Sequence, residues 1–188
     1  MNQHSDQPGP QPTVLGRTRR RLLFASGVAV LSLIAVAGFV QATPGLGVTS
    51  TVFAVGAFDT LEAKTLTDID PNPDVTKYWQ ARITTKGATD VHVIENRIAP
   101  GGTFGWHSHP GPSIVVVKSG ALTLYLASDL TCTGRVVPAG SGFVDNGGDV
   151  HVVRNEGSIE AVVYVTSLVP RGFARRIDQP APTHCVGI

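Results

Sequence analysis

Apolar positions along this chain gather in short runs broken by glycine and proline: Val91 to Ile98, Ile114 to Lys118, Ala121 to Ala127, Gly142 to Asp145, Val150 to Arg154 and Glu160 to Val169. The runs are rich in valine and isoleucine and too short for helices of normal length, so they predict strands. Several are continuous rather than alternating, which suits a barrel wall buried on one face and packed on the other. The 21 glycines and 13 prolines supply the breaks that many short strands need. Leu61 to Lys86 is less regular. Within it, the segment Asp68-Ile69-Asp70-Pro71-Asn72-Pro73-Asp74 is a turn-rich loop placed to lie over a barrel mouth. No internal repeat or coiled-coil pattern interrupts this all-β reading.

The first 42 residues follow a different pattern. Residues 1–21 form a polar, proline-bearing and basic region expected to be disordered. Arg17, Arg19, Arg20 and Arg21 then precede Leu22 to Val40, an uncharged apolar run of 19 residues. Such a helix just spans a bilayer, with the arginines held on the cytoplasmic side, which would anchor the chain in the cell membrane through residues 22–40. The alternative is a signal peptide cleaved near Ala42, after Val40-Gln41. Thr18-Arg19-Arg20-Arg21-Leu22-Leu23 resembles the twin-arginine export signal. Both readings place residues 43–188, the barrel domain, outside the cytoplasm. The two cysteines, Cys132 and Cys185, agree: an even count in an exported protein predicts one disulfide.

Charge narrows the partners. Setting aside residues 1–42, with four arginines and Asp6, leaves 11 basic and 13 acidic residues, a net of −2. A nucleic-acid partner would call for a basic footprint, so none is expected. Arg171, Arg175 and Arg176 cluster near the end and read as a solvated strap rather than an anion site. Phosphate-loop, dinucleotide-fingerprint and nucleophile-elbow motifs are absent from the sequence.

The candidate chemistry lies between residues 101 and 155. His107 and His109 stand one residue apart, so on an extended chain both imidazoles point the same way. His151 follows on a later strand. Three converging imidazoles suit a transition metal. Gly101, five residues, His107-Ser108-His109 and Gly120 form one block. Gly140, five residues, Asn146-Gly147-Gly148, two residues, His151, three residues and Asn155 form the other. These spacings resemble the two motifs of the cupin superfamily, specifically the single-domain, cupin-2-like conserved barrel. The resemblance implies a cupin-type double-stranded β-helix, or jelly-roll barrel, preceded here by one N-terminal hydrophobic helix. It also implies a metal site at His107, His109 and His151. Asn146 replaces the family's proline, a mild change at a turn. Ser113 replaces its glutamate ligand, leaving three neutral histidines as the expected set.

The neighbours of these histidines carry secondary readings. Ser113, Asn155 and Tyr125 are candidates for a pocket or for contacts behind the ligands. Asn155 equally suits the Asn155-Glu156-Gly157 turn, and Tyr125 and Phe143 suit the barrel lining. Trp106 alternates with His107 and should face away from the metal into outer packing. His92 and Glu95 lie on the strand leading in and read as ordinary strand residues, as do Asp145 and Asp149 in turns flanking the second motif.

Two functions stay open. One is a metal-dependent enzyme of the oxygenase or isomerase type acting on a small-molecule substrate, with Fe, Mn, Ni, Cu or Zn as the divalent transition metal. The other is a non-catalytic envelope module, or a structural barrel with a vestigial site, since one fold serves both. The membrane is a partner only if the N-terminal segment is uncleaved. The sequence leaves the oligomeric state open, a dimer included.

Overall fold

The computed structural model describes residues 42–68 and 78–188. The expected N-terminal helix and, apart from Asp68 at the end of a strand, the expected turn-rich loop over 68–74 lie outside the described residues. Among those described, every regular element is a strand: β1 (Leu46–Phe58), β2 (Glu62–Asp68), β3 (Tyr78–Thr84), β4 (Thr89–Thr103), β5 (His107–Ser108), β6 (Ser113–Ser119), β7 (Ala121–Leu126), β8 (Arg135–Pro138), β9 (Gly142–Asp145), β10 (His151–Arg154), β11 (Ala161–Pro170) and β12 (Ile177–Asp178). No helix among the described residues is long and apolar enough to cross a membrane.

Ten strands form one antiparallel sheet that curls into a nearly closed jelly-roll barrel, with β12-β5-β10-β4-β11-β6-β9 along its main path. β1 pairs with β4, and β7 pairs with both β10 and β8. β2 and β3 form a separate two-stranded hairpin. The 15-residue β4 is long enough to serve β1, β10 and β11 at once.

The turn at Gly120 shows how the sequence makes the barrel's corner. β6 pairs with β9 and β11, whereas β7, two residues on, pairs with β8 and β10. The chain must change walls within one residue. Gly120 does so with φ of 71°, and a Cβ there would lie 2.8 Å from the Ala161 Cα. Only glycine satisfies both demands.

Inside, Ile94, Ile98, Val115, Val117, Leu122, Leu124, Val137, Val153, Ala161, Val163 and Val165 form the main core. The continuous apolar run of β6 resolves into strict alternation: Ser113, Val115 and Val117 are buried while Ile114 and Val116 are exposed. The expected packing on the outer face is therefore missing there, because no second layer of described residues covers it. A second core, made of Trp106, Tyr125, Val152 and Cys185, sits behind the β5–β10–β7 wall. The C-terminal tail covers it. β12 pairs with β5, the Gln179 amide donates to the Trp106 carbonyl, and Cys185 is paired with Cys132 at a Cα–Cα distance of 5.6 Å.

Candidate metal centre

Three strand segments bring the histidines together. His107 opens β5, His109 follows just after it, and His151 opens β10 directly opposite His107 in the ladder. All three are buried, and their ligating nitrogens lie within 4.8 Å of one another. Ring centroids are 4.4 Å apart for His107 and His151, 4.8 Å for His107 and His109, and 5.4 Å for His109 and His151.

Each ring is fixed by its other nitrogen. Nδ1 of His107 lies 2.8 Å from the Gly105 carbonyl, Nδ1 of His109 is 2.7 Å from the Arg175 carbonyl, and Nδ1 of His151 is 2.9 Å from the Asp149 carbonyl. A carbonyl oxygen only accepts, so each Nδ1 carries the proton and donates. The lone pair is then on Nε2, free for a ligand, an arrangement that suits metal-binding histidines. Gly105 holds its carbonyl in place with φ of 68° against the Thr43–Pro44 backbone, where a Cβ would clash.

Burial also favours the neutral form of His107 and His109, as a cation needs. Desolvation, joined by the neighbouring His151 and Arg176 charges, pushes His107 from its ordinary value down to about 2. Burial likewise lowers His109, against the upward pull of the Arg175 carbonyl and of Asp145. Three buried imidazoles with Nε2 unclaimed by hydrogen bonds make a donor set suited to a transition metal.

The histidines face a cavity of about 260 Å³ whose wall is apolar around Val48, Phe104, Val115, Leu122, Phe143 and Val163. Ser113 lines it and shares a hydrogen bond of 2.8 Å with Ser167. The residues around the histidines divide between the cavity wall and its surroundings. Tyr125 lies in the outer core beside Trp106, its hydroxyl donating to Glu156 at 2.8 Å, because its neighbour Leu124 takes the inward position. Asn155 serves the turn: its Nδ2 donates to the Ile98 and Ile159 carbonyls and its Oδ1 accepts from the Gly157 amide. Trp106 is 1% exposed and packs away from the histidines. His92 and Glu95 do not line the cavity, and Glu95 accepts from Arg97 instead.

Three further residues join the site. Arg175 and Arg176 line the cavity rather than forming part of a solvated strap, because the Arg175 carbonyl is tied down by His109. Arg171 does stay on the surface, bound to Asp90 and to the Phe58 carbonyl. Asp145 is buried in the cavity wall, with Oδ2 3.3 Å from His109 Nε2. Its place follows from alternation: Phe143 lines the cavity, and the residue two further along β9 shares its face. Reading Asp145 as part of a turn conceals that.

A model of the cupin domain matches residues 95–167. No curated protein matches the chain. Among solved structures, the chain is similar to SPY1581, a conserved protein of unknown function from Streptococcus pyogenes. The identity is 18% over 44% of this chain and 67% of that one, with a TM-score of 0.37. An oxalate oxidase in complex with the substrate analogue glycolate is 34% identical over 41% of each chain, with a TM-score of 0.37. The polyketide cyclase RemF from Streptomyces resistomycificus is 17% identical over 50% of this chain and 65% of its own, with a TM-score of 0.41. This chain thus spans less than half the length of the oxalate oxidase.

Proposed function

The chain is a member of the cupin superfamily through residues 95–167, and from that premise we propose an exported, metal-dependent enzyme acting on a small anionic molecule. One divalent transition metal is held by His107, His109 and His151. The observation that carries this reading is the convergence of three buried histidines whose Nδ1 protons are all committed to carbonyls.

A bound metal would supply Lewis acidity or a site for an exogenous ligand. The chain's own residues do the rest. Arg175 and Arg176 bring positive charge to a mostly apolar cavity, and Arg176 is held by Asp178 at 2.5 Å. Burial lowers the Arg175 pKa, with the Arg176 charge adding to the effect, and an anionic ligand group would relieve both. The apolar wall accommodates the uncharged part of such a molecule and limits water. Residues 1–21 precede an export segment at 22–42, and 43–188 form the working domain. Pairing of Cys132 with Cys185 suits the oxidising compartment this implies.

The test is Co(II) loading of the metal-free protein, followed by titration with acetate and oxalate. One Co(II) per chain, with a visible spectrum that shifts on adding the anion and shifts less in Arg175→Gln, is the expected result. One Co(II) whose spectrum ignores every anion would instead favour a closed binding module. Binding that survives His151→Ala unchanged would overturn the metal assignment.

A further inference from the structure

Asp145 does not behave as a buried carboxylate should. Leaving an ionised group out of water is costly unless its oxygens are paired. Oδ1 accepts from the Gly147 amide at 3.1 Å. Oδ2 is buried with no hydrogen-bond partner, one of only two such side-chain atoms among the described residues. The other, Trp106 Nε1, lies in the outer core.

An imidazole close to the orphaned oxygen makes matters worse. His109 Nε2 is 3.3 Å away, and its ring has already placed its proton on Nδ1 for the Arg175 carbonyl. Two lone pairs therefore confront each other in a buried site. His151 Nδ1 is 3.9 Å from Oδ1, beyond hydrogen-bond reach, and donates to the Asp149 carbonyl. Ser113 offers no relief, since its hydroxyl is shared with Ser167. A cation bound by the imidazoles and drawn to the adjacent carboxylate would satisfy both facing lone pairs.

We infer that Asp145 is the carboxylate ligand of this metal centre, supplied from β9 instead of from position 113 on β6. This rests on the three-histidine reading above. The ladder gives the reason it works: Ser113 and Asp145 are direct partners across β6 and β9. The charge has moved by one inter-strand spacing, roughly 4.8 Å, and stays on the same cavity wall. The small Ser113 side chain leaves room for it. The centre then has three neutral nitrogens and one anionic oxygen, so a divalent ion is left with a single positive charge. A carboxylate also shifts preference toward Mn(II) and Fe(II) relative to an all-imidazole set.

The experiment uses the metal-free full-length protein, titrated with Co(II) and Mn(II) against a chelator of known affinity, with the Co(II) visible spectrum and Mn(II) EPR recorded for each variant. Asp145→Asn keeps the shape and an acceptor for Gly147 while removing the charge. It should lose tenfold or more in affinity for both ions and show an altered Co(II) spectrum. Asp145→Ser combined with Ser113→Glu should recover most of what Asp145→Ser alone loses, because the carboxylate returns from the opposite strand. An unaltered Co(II) spectrum in Asp145→Asn would overturn the inference whatever the affinity, and so would a double variant no better than Asp145→Ser. His151→Ala keeps the two questions apart. If it binds metal as well as wild type, the three-histidine reading fails; if it loses metal while Asp145→Asn does not, only the role of Asp145 fails. Should Asp145→Asn not fold, Asp145→Ser is read by the same spectrum.

Discussion

Trp106 and His107 are neighbours in the chain and lie on opposite faces of one barrel wall. His107 faces the cavity, while Trp106 is buried beneath the C-terminal tail with Tyr125, Val152 and Cys185. Val152 stands in the same relation to His151. The strands that present the histidines are thus clamped from behind by a separate apolar cluster, and what loosens that cluster should loosen the site.

The Cys132–Cys185 pair closes that cluster across a separation of 53 residues. A crosslink over such a loop is worth about 4 kcal/mol in the chain-entropy description. Cys132→Ser with Cys185→Ser should lower the melting temperature by well over 5 °C and weaken metal retention, because the Arg175 carbonyl that orients His109 belongs to the same tail. Thiol labelling of denatured, unreduced wild type should find no free cysteine; two labelled thiols per chain would refute the bridge.

Trp106 is the largest side chain of the clamp, and its Nε1 has no partner. Trp106→Ala should cost about 3–5 kcal/mol by opening a cavity. Trp106→Phe should cost distinctly less, since it keeps most of the packing and removes an unsatisfied donor. Denaturant melts of the two variants settle the order, and equal losses would contradict it.

Acid should weaken the metal-free fold. His107 resists protonation down to about 2 when folded, whereas the unfolded chain takes up that proton near 6.5. The folded pKa is depressed, so the unfolded state binds more protons between those values, and stability is lost as pH falls through that window. The slope from this group is on the order of 1 kcal/mol per pH unit. Chelator-treated protein should melt progressively lower from pH 6.5 to 4, and His107→Asn should flatten the trend. A melting temperature constant across that range would count against it.

Export is tested at the leader. Arg19→Lys with Arg20→Lys preserves charge and should block export if a receptor reads the arginine pair. Fractionation showing normal export of the double-lysine chain would point to another route or to a plain anchor.

The strands of the barrel's inner wall were legible because their side chains make the core: β6, β7, β9, β10 and β11 all coincide with apolar runs. β1 was not. Its opening Gly45-Leu46-Gly47 reads as flexible linker, and all but one residue of Leu46–Phe58 are exposed; its backbone ladder to β4, not burial, holds it in place. β2 and β3 escaped notice for the same reason, as a hairpin with exposed flanks. The histidines announce themselves through their spacing. Arg175 and Arg176 do not, because their roles depend on which tail segment lies across the cavity. That is a long-range property that no local pattern encodes.

The three carbonyls that orient the histidines belong to Gly105, Asp149 and Arg175, each contributing main chain rather than side chain. Evolution therefore has few levers on ring orientation. Replacing the side chain of Asp149 or Arg175 deletes no carbonyl, so Arg175 can lend its charge to the cavity without disturbing His109. Position 105 alone is confined to glycine. Side-chain changes in the cavity wall can therefore alter what the cavity holds while the backbone keeps the posture of the imidazoles.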